Sequence, residues 1–186
     1  MGVLKRIGAP GRNRLPNRGA IADNAGMNIW VDADACPAEV KDILWRAAQR
    51  WQVPVTLVAN QLLRVPVSPW MRAVQVPRGF DVADAHIVAS AVPGDLVITA
   101  DIPLAAEVVG KGVAAMSWRG EVFDAGSIGE RLAMRDMMEE LRAGGVDIGG
   151  PAAFGQADRR AFANALDAAM QRWARTRGAG GKPGAV

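Results

Sequence analysis

Five short apolar runs alternate with segments whose apolar residues recur at helical spacing, and this alternation leaves few folds open. The runs are NIWV (28–31), VPVTLVA (53–59), MRAVQV (71–76), LVITA (96–100) and VAAM (113–116). All are short, and the first four are stopped by Asp32, Asn60, Pro77 and Asp101, as buried strands are. Between the first two, Pro37 suits a first helical position. Val40, Ile43, Leu44, Ala47, Ala48 and Trp51 then repeat on one helical stripe. Strand, helix and strand within roughly 30 residues form a βαβ unit, whose strands run parallel. Residues 81–91 and 104–109 read as two further helices. The expected fold is α/β: an open parallel sheet of about five strands flanked by helices.

The last third changes character. Ser127 and Glu130 have capping-box spacing ahead of a helix to Arg142 that carries Met134, Met137, Met138 and Leu141 on one stripe. Asp158 is placed to cap a final helix with Phe162, Ala165, Leu166, Ala169 and Trp173 on its apolar face. Both helices are expected to pack on the sheet. The methionine stripe reads as core or subunit interface, and the second option admits a homo-oligomer.

The side-chain inventory narrows the chemistry. The chain has one Cys (Cys36), one His (His86) and no Tyr. That excludes an intramolecular disulfide framework, a Cys-rich zinc site and any site needing two imidazoles. Carboxylates are left to carry a mechanism. The net charge of +3 is unevenly spread, because both ends are basic and residues 27–174 are mildly acidic. Residues 1–26, with Lys5, Arg6, Arg12, Arg14 and Arg18 against Asp23, read as a disordered basic leader preceding a start at Met27. The alternative is a basic arm that touches nucleic acid. Residues 175–186 read as a floppy Gly-rich tail, so 27–174 form the single domain. No apolar run approaches the roughly 20 residues of a membrane span, and the expected compartment is the cytoplasm.

In open parallel sheets, ligand sites form beyond the carboxyl ends of the strands. Two runs end in an acid, Asp32 and Asp101, and Asp84 lies in the helix after the third. Converging carboxylates repel unless a cation sits between them, and Mg²⁺ or Mn²⁺ suits an all-oxygen site. The expected chemistry is hydrolysis of a phosphate ester or diester. Asp32, Asp84 and Asp101 are the candidate metal ligands. Asp34 and Asp81 are candidates to orient water, although Asp34 also complements a helix dipole and Asp81 suits a helix N-cap. Asn60, Arg64, Arg72 and Arg78 follow or flank strands and are candidates to hold a nucleic-acid backbone. His86, two residues past Asp84, points away from it and reads as packing or surface. Cys36 sits at a helix start, but without a base partner it reads as structural.

Several stretches together resemble the YaiI/YqxD family of bacterial proteins. They are IWVDADACPAEVKDILWRAA, VPVTLVANQLLRVP, VQVPRGFDVADAHIV, PGDLVITADIPLAAEVV, RGEVF, and GGPAAF followed by DRRAFANALD. Where the family pattern carries Thr before GGP, this chain has Ile148. The resemblance implies a fold similar to PIN and NYN nuclease domains. There, acids after the first strand, in a middle helix and after the fourth strand bind divalent metal, which corresponds to Asp32, Asp84 and Asp101. A further early-helix acid of the PIN pattern has only Glu39 and Asp42 as candidates here.

The leading expectation is a metal-dependent ribonuclease or related phosphodiesterase, with RNA as partner. A second reading takes Asp32 as an aspartyl nucleophile and Asp34 as acid/base of a phosphatase. A third is a non-catalytic RNA- or protein-binding module on the same fold.

Overall fold

The computed structural model describes residues 26–79, 81–145, 149–150 and 152–180, with side chains to 176. The basic leader and Ile148 lie outside the described residues. The elements follow the order β1 (Ile29–Asp32), α1 (Ala38–Trp51), β2 (Val55–Ala59), β3 (Met71–Gln75), α2 (Val82–Ser90), β4 (Leu96–Ile98), α3 (Ile102–Gly110), β5 (Ala114–Met116), β6 (Val122–Phe123), α4 (Ile128–Ala143) and α5 (Gln156–Gly180). Helix α5 continues past residue 175, where the tail was expected to begin, and residues 181–186 lie outside the description.

The sheet order is β3-β2-β1-β4-β5-β6. The first five strands are parallel, as expected, and β6 adds an antiparallel edge beside β5. β1 is central. From it the chain moves outward through β2 and β3, then crosses back to β4 on the other side of β1. The adjoining carboxyl ends of β1 and β4 therefore form a switch point, where open α/β sheets leave a crevice.

Helices cover both faces, which explains why the inner strands are apolar throughout. On one face, Ile29, Val31, Leu57 and Ile98 pack with Val40, Leu44 and Ala48 of α1 and Phe162, Leu166 and Met170 of α5. On the other, Trp30, Val58 and Val97 pack with Ile87 of α2 and Leu104, Ala105 and Val108 of α3. Fully burying such an apolar side chain stabilises the fold by about 1.5–3 kcal/mol. Strand side chains alternate between faces, so Asp32, two residues after Trp30, and Thr99, two after Val97, both belong to the α2/α3 side.

The amino end of the sheet is sealed by a buried carboxylate. Asp95 is 3% exposed and accepts hydrogen bonds from Asn28 N (2.9 Å), Asn28 Nδ2 (3.3 Å), Trp30 Nε1 (3.0 Å) and Val92 N (3.1 Å). It ties the turn before β4 to the start of β1.

Three expected caps are made differently. Asp81 occupies the N-cap of α2 in the left-handed region (φ 56°), and its side chain makes no cap bond. Ser127 makes none either; Asp124 accepts from Gly126 N and Ser127 N instead, so the chain is turned before the helix begins. Asp158 lies within the first turn of α5 and accepts from Gly155 N. Spacing alone does not say which carboxylate reaches the free N–H groups. α4 also differs from a core helix. Only Ile128 of it is buried, while Met134, Met137 and Leu141 are 51%, 46% and 38% exposed.

Candidate functional site

At the switch point lies an open cavity of about 270 Å³, lined by Asp32, Asp34, Ala35, Asn60, Gly79, Asp81, Val82, Ala83, Asp84 and Asp101. All five carboxylates singled out in the sequence line it, as does Asn60. None of its lining residues is basic. Arg78 is exposed beside the lining residue Gly79, and Arg64 is exposed outside the lining. Arg72 pairs with Thr56 near the start of the strands, and its Nε donates to Thr56 Oγ1 at 2.8 Å. It therefore lies at the opposite end from the acids, against expectation. Glu39, a candidate early-helix acid, lines a different cavity, and Asp42 is exposed outside both linings.

Local structure presents each acid differently. Asp32 ends β1 and accepts from Thr99 Oγ1 at 3.1 Å. Thr99 is fully buried, and the same hydroxyl accepts from Asp101 N at 2.9 Å. One side chain thus links the ends of β1 and β4. Sequence reasoning missed Thr99; its signal was a hydroxyl inside an otherwise apolar buried run. Asp101 is the N-cap of α3, and its Oδ1 accepts from Leu104 N at 2.8 Å. Asp34 accepts from Asn60 N at 3.0 and 3.2 Å, clamping the β1–α1 turn to the end of β2. Asp84 projects from the first turn of α2, and Asp81 stands just ahead of it in a conformation that L-residues other than Asn and Asp rarely adopt.

The carboxylates act on one another. Burial pushes Asp84 up to about 6, and the charges of Asp32, Asp101, Asp81 and Glu107 add to that. Burial is also the main reason Asp32 is raised; the Thr99 hydrogen bond opposes it, and the charges of Asp34 and Asp101 reinforce it. Such mutual repulsion marks a place where positive charge would be welcome. Yet among the described residues no three His, Cys, Asp or Glu side chains form a group able to hold one metal ion. The acids share a cavity without converging on a point. Their donor set is all oxygen, the chemistry Mg²⁺ or Mn²⁺ prefers, but as the side chains stand Asp32, Asp84 and Asp101 do not gather around one point.

The remaining candidates are accounted for locally. His86 meets Trp30 edge-on, with ring centroids 6.3 Å apart, and is outside the cavity lining. Cys36 is buried, and burial pushes its thiol up to about 12, in keeping with a structural role.

Comparison with known proteins adds a family. The family described as "Uncharacterized BCR, YaiI/YqxD family" matches residues 30–172. A UPF0178 protein of Bordetella parapertussis is 99% identical over 160 residues, covering 86% of this chain and 100% of the relative. A UPF0178 protein of Bordetella avium is 72% identical over 148 residues, covering 80% and 96%. One from Dechloromonas aromatica is 61% identical over 141 residues, covering 76% and 94%. No solved structure matches. No helix among the described residues is long and apolar enough to cross a membrane.

Proposed function

The chain belongs to the YaiI/YqxD family, and we propose that its acidic cavity makes it a divalent-cation-dependent phosphodiester hydrolase acting on RNA, in keeping with the PIN-like architecture. The observation that carries this reading is five carboxylates lining one open cavity at the switch point of a parallel sheet, with no basic lining residue. When bound, Mg²⁺ or Mn²⁺ would supply a Lewis acid for a phosphate oxygen and a water of lowered pKa. Asp32, Asp84 and Asp101 are the residues that would hold it. Asp34, fixed by Asn60 N, braces the turn that presents Asp32, while Asp81 is the acid left to orient water. An RNA substrate fits a cytoplasmic site of action.

The test is incubation of the purified chain with a mixed RNA pool and Mn²⁺. Cleavage by wild type and its loss in Asp101→Asn support the reading; equal cleavage by the two removes it.

One observation favours a second reading, a non-catalytic RNA-binding module: the absence among the described residues of a three-acid group able to hold an ion. It predicts no change of melting temperature with Mn²⁺ and undiminished RNA binding by Asp84→Asn. The phosphatase reading has less support. Asp34 is engaged with Asn60 N, and the cavity lacks the lysine that would steady a covalent phosphate.

A further inference from the structure

A second cavity, of about 150 Å³, adjoins this site and is lined by Glu39, Phe154, Gly155, Gln156 and Arg159. We infer that it is a nucleotide subsite, holding one residue of a single-stranded RNA whose neighbouring phosphate lies over the acidic cavity. The inference rests on the phosphodiesterase reading for its substrate class.

Three observations carry it. The first is position. Ala35 lines the acidic cavity and Glu39 the second one, four residues apart at the start of α1. Four residues of chain bring the two walls within about 14 Å of each other, a span that a short single strand covers.

The second is the lining. Arg159 is half-buried, and among the described residues its guanidinium has no ion pair or hydrogen bond. Its neighbour Arg119 takes the nearby carboxylate, Asp158, at 2.8 Å. A half-buried guanidinium without a partner is suited to a phosphate. Phe154 offers a half-buried aromatic ring on which a base can stack. The Gln156 amide and Glu39 carboxylate can meet polar groups on a base edge, Glu39 by accepting from an amino group.

The third is that the wall is built to hold its shape. Arg119 also donates to Ala152 O, fastening the segment that leads to Phe154. Gly120, at φ +82°, lets the Ala161 backbone approach so closely that a Cβ would lie 2.6 Å from its carbonyl oxygen. Phe154 and Arg159, from the GGPAAF and DRR stretches that the acidic site left without a role, line this cavity, and Arg119 of the RGE stretch braces the segments that carry them.

The test uses the full chain and a fluorescein-labelled RNA decamer of mixed sequence, bound without divalent metal and followed by anisotropy. Arg159→Ala is expected to weaken binding about tenfold and to lower the slope of log affinity against log salt by about 0.7, one phosphate contact on a single strand. Phe154→Leu is expected to weaken binding at least fivefold, with a salt slope like that of wild type, because stacking is uncharged. Arg50→Ala, at an exposed position in the last turn of α1 where Arg50 pairs with Asp167 and lines neither cavity, should bind as wild type. Circular dichroism of each variant shows whether the fold is kept, and Gln156→Ala supplies a further lining variant should Phe154→Leu not fold. Binding by Arg159→Ala with wild-type affinity and salt slope overturns the subsite, as does failure of wild type to bind the decamer. Arg159-dependent binding without cleavage in Mn²⁺ would leave the subsite standing and remove the hydrolase reading.

Discussion

The two ends of the sheet use the same side chain in opposite ways. At the amino end, Asp95 is buried and receives four hydrogen bonds. At the carboxyl end, five aspartates share one cavity, and Asp84 is raised by its burial and by its neighbours' charges. Asp95 has its negative charge answered by donors already in the fold, so it works as a fastener. The acids at the other end have at most part of their acceptor capacity used, and they face one another across open space. The two ends thus differ in the number of donors aimed at each carboxylate as well as in the burial of the carboxylate itself.

This contrast can be broken from either side. The largest effect should come from Asp95→Ala, which strands several donors at a buried position and should cost about 3–5 kcal/mol of unfolding free energy in denaturant titration. Its Mn²⁺ affinity should match that of wild type; an unchanged denaturation midpoint would deny Asp95 its fastening role. Next, Asp101→Asn, which keeps an oxygen for the Leu104 cap, should lower RNA cleavage about a hundredfold or more while shifting the melting temperature little.

Thr99→Val keeps the β-branched shape but removes the hydroxyl joining Asp32 to the Asp101 amide. It should cost about 1–2 kcal/mol and weaken Mn²⁺ binding in calorimetry, and Thr99→Ser should restore both. Valine performing as well as serine would make Thr99 a mere filler.

The pH dependence has a definite sign. Asp84 rises from an unfolded value of 3.8 to about 6 in the fold, so the folded chain holds its proton more tightly. The contribution of Asp84 to metal-free stability is then fully present below pH 4 and is lost as pH rises through about 6, by about 1 kcal/mol once solvent screening of this half-exposed group is allowed for. Asp84→Asn should flatten that slope to the part that raised Asp32 supplies and be the more stable protein above pH 6. Mn²⁺ affinity of wild type should rise over the same interval. The smallest effect is expected at Met137→Lys, on the exposed face of α4, where the unfolding free energy should move by no more than about 0.5 kcal/mol.

How much of this could be read in the sequence follows from which signals are local. The strands before Asp32 and Asp101 were legible because a buried parallel strand is a short continuous apolar run, and the switch-point rule then placed both acids. β6 was not, since two residues after a turn carry no periodicity. The methionine stripe of α4 reads as core or subunit interface, and its exposure removes only the core option, because an apolar stripe has the same spacing whether or not something covers it. The Asp34–Asn60 clamp and the four bonds of Asp95 join residues 26 to 67 positions apart wherever they leave their own turn, and no nearby pattern announces them. Thr99 lay between. Its burial was foreseeable from the run around it, but its two partners were not.

Three of the acids are already tethered: Asp32 to Thr99, Asp34 to Asn60 N and Asp101 to Leu104 N. Their rotamer freedom was given up when the chain folded. A guest bridging Asp32, Asp84 and Asp101 therefore has mainly Asp84 left to immobilise, and an anchored side chain costs less ordering entropy than a loose one. The same tethers limit how far each oxygen can move inward. On the proposed reading they would favour small, exacting guests over large ones, and the reach of Asp84 from the first turn of α2 would set which cation is accepted.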